Sequence, residues 1–283
     1  MLKITRSAAL LRCVVALTAS LLPLTAFADS IFPDKALEAA VKAVLKKGEK
    51  DELKEDDLKN VHLLEAKKKG IKDLKGLEKC PNLLSLNLAG NEIADAAPIA
   101  DLVLLQSLDL SSNKLTDIKP VAKLVKLQYL QLEHNQIADL AALKELKKLQ
   151  ALYLSDNRVE NVDVLADFPK LSSLYLGKNK IKDIKAIGTV KWVAILDLRE
   201  NQIEDVTALG SLTELRMTFL EGNQIKDFGP LVEMAKKDAA GDKRFAPFWR
   251  LHVDNNPIDA AKKDAQVAEL KKSGVRVNVK AAN

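Results

Sequence analysis

Cysteine is nearly absent from this chain. There are two in 283 residues, and Cys13 lies in a leading segment with the marks of a removable signal. Its loss would leave Cys80 alone, which excludes an internal disulfide from the processed chain. Histidine is as scarce: His62, His134 and His252 are the only three, and their wide separation in the chain argues against a shared metal. Aromatic residues make up 4% against a hydrophobic fraction of 47%, so aliphatic side chains must fill the core. Neither sign of charge dominates, with 44 basic and 39 acidic residues; without Lys3, Arg6 and Arg12 the balance falls to +2. Such a chain has no global reason to seek nucleic acid or an anionic membrane. Beyond the first residues, no stretch is apolar for long enough to span a bilayer. Nucleophile elbows, zinc spacings and phosphate loops are also missing, so no catalytic residues, cofactor or metal are expected. The acidic run Asp51, Glu52, Glu55, Asp56 and Asp57 lacks calcium-loop spacing and its central glycine.

Residues 1–28 have the composition of a secretory signal peptide. Lys3 and Arg6 make a positive start, and Cys13 to Leu24 form an uncharged, mostly apolar run of 12. Ala26-Phe27-Ala28 then supplies a small-x-small cleavage pattern before Asp29. Export to the periplasm or the medium is the expectation.

What the chain has in abundance is periodicity. Asparagine recurs every 22 residues at Asn91, Asn113, Asn135, Asn157, Asn179, Asn201 and Asn223. Leucines keep the same interval, in a column from Leu86 to Leu196 and another from Leu88 to Leu220, so each unit reads L-x-x-L-x-L-x-x-N-x-I. The L-x-L piece alternates as a strand with one buried face does. Apolar residues then come every third position, as in Ile118, Val121 and Leu124, a period suited to short 3₁₀ turns. Asparagine, with two donors and an acceptor, fits a tight buried turn whose backbone groups need partners. Aspartates at Asp73, Asp95, Asp117, Asp139, Asp183, Asp205 and Asp227 recur too, with Asn161 completing their column. Side chains of that kind cap turns by bonding nearby amides. Cys80 shares a column with Leu102, Leu124 and Leu146, which makes it a small core residue.

The unit resembles the leucine-rich repeat, in the 22-residue class of internalins and of a protein phosphatase 1 regulatory subunit. The resemblance covers roughly residues 61–259. It implies an α/β repeat: a solenoid with parallel strands on the concave face, short 3₁₀ turns on the convex face, and helical caps at both ends. The expected layout is a signal peptide at 1–28, a helical N-terminal cap at 29–60, about nine repeats over 61–259, and a C-terminal cap at 260–283. After Asn223 the interval stretches to 33 residues, with Phe248, Leu251, Val253, Asn256 and Ile258 as the next matching frame. The surplus predicts a polar insertion loop near 236–247, around Gly241.

Residues flanking the inward leucines point outward onto the sheet. All three tyrosines fall there: Tyr129, Tyr153 and Tyr175. Phe219 shares the array, and Trp249 is expected at its edge. Aromatics are enriched at binding hot spots with charged groups at the rim; Gln131, Glu133, Asp197, Arg199 and Glu221 are the candidates for that surround. Asp109 and Glu133 can approach on adjacent repeats, but outward carboxylates on an open face are expected to lack the apolar pocket that raises a pKa for acid catalysis. Because proteins of the resembled class mostly bind other proteins, the resemblance implies a scaffold that holds a protein or peptide on its concave face; with no catalytic motif, the chain is expected to be a non-catalytic monomer. Glycan binding, with tyrosines as stacking platforms, and a purely structural role in the envelope are the alternatives.

Overall fold

The computed structural model describes residues 30–278; the expected signal peptide lies outside them. From Ile31 onward the chain forms one continuous stack. Ten strands make a single sheet in chain order, every neighbouring pair parallel: β1 Leu63–Glu65, β2 Ser85–Asn87, β3 Ser107–Asp109, β4 Tyr129–Gln131, β5 Ala151–Tyr153, β6 Ser173–Tyr175, β7 Ile195–Asp197, β8 Met217–Phe219, β9 Arg250–His252 and β10 Arg276–Val277. The pairing register repeats the sequence period: Leu64 faces Leu86, Leu86 faces Leu108, and so on to Leu174 and Leu196. A parallel pair needs a crossover between its strands. Here each crossover from β1 to β8 is one coil of the repeat, returning through a short 3₁₀ turn such as Lys119–Lys123 or Thr207–Ser211.

Burial follows the columns. The inward leucines, the isoleucine after the asparagine and the third-position apolar residues of the turns are buried in one continuous core. Cys80 is wholly buried in it, and burial pushes its thiol up to about 12. Asparagine holds the bend that follows each strand. Asn157 Oδ1 accepts from the Ile137 amide of the preceding repeat at 2.9 Å. Its Nδ2 donates to Leu132 O at 2.9 Å and to Leu154 O at 3.1 Å. The same bonds recur at Asn113, Asn179, Asn201 and Asn223. The preceding residue is left-handed in these bends, at Ser112, His134, Asp156, Lys178 and Glu200, with Gly90 and Gly222 relieving the strain in two. In the aspartate column each Oδ1 accepts the amide two residues on, at 2.7–2.9 Å, with Asn161 doing the same. These side chains start the turns, as the sequence predicts.

The ends are capped by helices. α1, Lys35–Val44, buries Leu37 and Val41. Asp34 begins it, Oδ1 accepting from Ala36 and Leu37 while Oδ2 takes the Lys72 amide at 2.8 Å and so fastens the helix to the first repeat. The single turn α2, Glu55–Leu58, follows. The long interval before β9 departs from expectation. It holds a helix, α3 Gly229–Ala240, with Leu231, Val232, Met234 and Ala235 buried, where a polar loop was expected. Gly241 is its C-cap, and the loop shrinks to a few residues pinned by Asp238, whose carboxylate accepts from the amides of Arg244, Phe245 and Ala246. The signal was legible: Phe228, Leu231, Val232 and Ala235 sit at helical spacing. At the far end α4, Ala260–Lys272, and β10 complete the cap. No helix among the described residues is long and apolar enough to cross a membrane.

Candidate functional site: the strand face

Parallel strands in register place equivalent side chains directly beside one another, about 4.8 Å apart. Planar groups in one column therefore stack. The middle outward column carries Tyr153 on β5 and Tyr175 on β6, paired in register. Their rings stack at 4.6 Å between centroids with 11° between planes. Further along, Phe219 stacks on His252 at 4.8 Å and 23°. Arg199 fills the gap: its guanidinium lies over the Phe219 ring at 4.3 Å while Nε donates to both oxygens of Asp197, at 2.9 and 3.0 Å. A ladder of planar groups thus runs from β5 to β9.

The room for this comes from small residues in the next column. A Cβ on Gly177 would meet Arg199 Cγ and Asp197 Oδ1 at 3.1 Å each, so glycine lets that ion pair lie flat across β6 and β7. The Asp197 hydrogen bond holds the Arg199 guanidinium above its ordinary pKa. Asp197 itself is buried, at 5% exposure. It acts as the clamp on Arg199 rather than as an open rim charge.

Glu133 corrects the expectation that carboxylates on this face feel no desolvation. Half-buried beside the tyrosine pair, it has its pKa raised by burial and by the like charges of Asp109 and Asp197. Its carboxylate has no hydrogen bond or ion pair within the described residues. Asp109 is occupied, accepting from Ser111 N at 2.9 Å and Ser111 Oγ at 2.6 Å. Burial also raises the Tyr175 phenol, with Tyr153, Asp197 and Glu133 adding to the effect. Glu221 Oε1 stands 3.7 Å from His252 Nδ1, while its Oε2 is buried without a partner.

Of the remaining candidates, Gln131 is half-buried between Asp109 and Tyr153, and Tyr129 is 46% exposed on β4. Trp249 is misassigned by the sequence. It is fully buried, its indole N–H donating to Thr218 Oγ1 at 2.9 Å and its ring edge-on to Phe245 at 5.6 Å. Phe248 takes the outward place, 59% exposed under the Arg216 guanidinium at 5.2 Å. The two residues exchange roles because the 33-residue interval arrives through the 3₁₀ turn Ala246–Phe248, which advances the inward position by one. Sequence reasoning missed Phe248; a frame copied from 22-residue neighbours cannot show a shift made by the inserted coil.

Elsewhere, an open groove of about 770 Å³ lies on the turn side between Asp183, Lys185, Thr207 and Ser211. Its aspartates Asp183 and Asp205 are engaged in capping turns. Among the described residues no three histidine, cysteine, aspartate or glutamate side chains gather to hold a metal ion.

Comparison with known proteins agrees with this geometry. A family profile described as Leucine Rich repeats (2 copies) matches residues 103–145 and 147–188, and one described as Leucine Rich repeat matches 79–97. No protein of curated function matches the sequence. Among solved structures, internalin C2 from Listeria monocytogenes is 29% identical, with 81% of this chain and 95% of that one covered and a TM-score of 0.68. A leucine-rich-repeat protein of Leptospira interrogans is 24% identical over 74% of this chain and 52% of its own, with a TM-score of 0.64. The ectodomain of the membrane receptor kinase GASSHO1/SCHENGEN3 from Arabidopsis thaliana, in complex with CASPARIAN STRIP INTEGRITY FACTOR 2, is 23% identical over 72% of this chain and 25% of its own, with a TM-score of 0.57. These last two share the fold alone. Repeat length, strand register and the profile matches show a leucine-rich-repeat solenoid, and the stack is similar to that of internalin C2.

Proposed function

We propose that the chain is an exported, non-catalytic scaffold that captures a protein or peptide partner on its strand face. One observation carries this reading: a protein with few aromatic residues sets a stacked ladder from Tyr153 to His252 on the outside of its sheet. The core is already closed beneath it by leucine, so the ladder adds little that folding requires. Rigid aromatic groups held in place lose little freedom on binding, which suits a hot spot. A receptor ectodomain of this fold, seen in complex with CASPARIAN STRIP INTEGRITY FACTOR 2, is consistent with such a use.

Glycan stacking is less favoured, because each tyrosine already gives one ring face to the other. The test is a chemical cross-linking pull-down from the native host, comparing wild type with Tyr153→Ala/Tyr175→Ala. The double variant should lose the captured partner while melting within a few degrees of wild type. Capture that survives the substitution would remove the tyrosine patch from the interface. Co-sedimentation with purified wall polymer, rather than with protein, would favour the glycan alternative.

A further inference from the structure

The outward positions of β3 to β8 contain no lysine, although the chain as a whole is net basic. Those positions hold Asp109, Glu133, Asp197 and Glu221 against a single cation, Arg199, and Arg199 is already neutralised by Asp197. The face is therefore acidic on a protein whose other surfaces are rich in lysine. Two of the acids lack a full complement of partners. Glu133 is half-buried without a donor, and Glu221 keeps one oxygen buried and unbonded. Desolvated carboxylates in that condition are poorly satisfied in the free protein, and an incoming cation with several N–H donors pairs with the Glu133 carboxylate and with Oε1 of Glu221, the oxygen that is not sealed in.

We propose that the partner is an extended, cationic protein segment, lying along the stack with lysine or arginine side chains received by Glu133 at one end and Glu221 at the other. The proposal rests on the strand-face reading above and names the partner's chemistry. Glu133 follows β4 and Glu221 follows β8, four strand steps, so the carboxylates are about 19 Å apart at roughly 4.8 Å per step. An extended chain rises about 3.3 Å per residue, which places the two cations about six residues apart in the partner. Between them the apolar side chains of the segment meet the Tyr153–Tyr175 stack and Phe219. Arg199 lies one strand step from the Glu221 end, where its pairing with Asp197 offsets its charge.

Fluorescence polarisation with synthetic labelled dodecapeptides tests this. The probes share a leucine-, tyrosine- and serine-containing background and carry two arginines six apart, two arginines two apart, two glutamates six apart, or two glutamines six apart. The arginine probe with wide spacing should bind tightest, and Glu133→Gln or Glu221→Gln should each weaken it about tenfold. Thermal melts confirm that both variants are folded. If all probes bind equally, if none binds, or if neither glutamine variant changes affinity, the cationic partner is wrong. Loss of arginine-probe binding in Tyr153→Ala/Tyr175→Ala with no response to the glutamine variants would overturn the charge assignment and leave the strand face standing. Binding that responds to the glutamates and not to the tyrosines would instead overturn the aromatic patch.

Discussion

Asparagine is the residue on which the stack turns. Each one satisfies an amide of the previous repeat and carbonyls of its own and the previous repeat, in a bend whose preceding residue is held left-handed. A non-glycine residue in that conformation costs about 1–2 kcal/mol, and it persists only where the surroundings over-determine it. Asn157→Ala should therefore destabilise the protein by about 1–3 kcal/mol through stranded backbone groups. Urea unfolding checks this, and a smaller loss than in a surface substitution would contradict the role. Glu133 shows the limit of a residue-by-residue reading. Its column predicts exposure, but its neighbours Tyr153, Asp109 and Asp197 come from three other repeats, and they decide how dry and how negative its surroundings are.

At the scale of elements, three-residue strands and single 3₁₀ turns have no stability of their own and exist because each lies between copies of itself. Their type and spacing were legible because the pattern repeats. Where the repeat breaks, legibility falls: the expected loop near 236–247 is largely the end of α3 and a 3₁₀ turn, and Trp249 and Phe248 exchange places. The last aspartate of its column, Asp227, joins this irregular coil to the cap. Its Oδ1 accepts from Gln266 Nε2 at 2.5 Å and from the Gly229 amide at 2.7 Å, and Lys262 Nζ approaches Oδ2 at 3.1 Å. These contacts, the Gln266 bond foremost, pull its carboxyl from 3.8 down to about 2. A depressed carboxylate stabilises the fold above its unfolded pKa and loses that contribution as pH falls through the folded value. The melting temperature of wild type should exceed that of Asp227→Asn at pH 5, and the difference should close between pH 4 and pH 2. A gap unchanged across that range would show that the ion contributes nothing beyond its hydrogen-bonding shape.

For the molecule as a whole, repeats that touch only their neighbours make the array tolerant of losing one. Excising residues 81–102 removes β2 with its coil and brings β3 beside β1, Leu108 beside Leu64, in the register both already use. Asn113 then meets the amide that Asn91 held. The shortened protein should still unfold in one transition, with the urea m-value reduced by roughly a tenth, in proportion to the surface removed. A second transition would mean that the N-terminal cap couples to the array less tightly than its packing implies.

Sequence alone determined the coil. A 22-residue interval of leucine and asparagine admits one economical burial, in which identical faces dry each other, and the strands, turns, asparagine bends and aspartate caps follow from it. It also determined that the tyrosines stand outside, because strand alternation leaves their positions no other side. The tertiary structure decided what those side chains do to one another. Ring stacking, the Arg199 clamp across Gly177, the raised pKa of Glu133 and the burial of Trp249 all depend on residues 20 to 64 positions apart being brought near one another, and no local pattern encodes such distances.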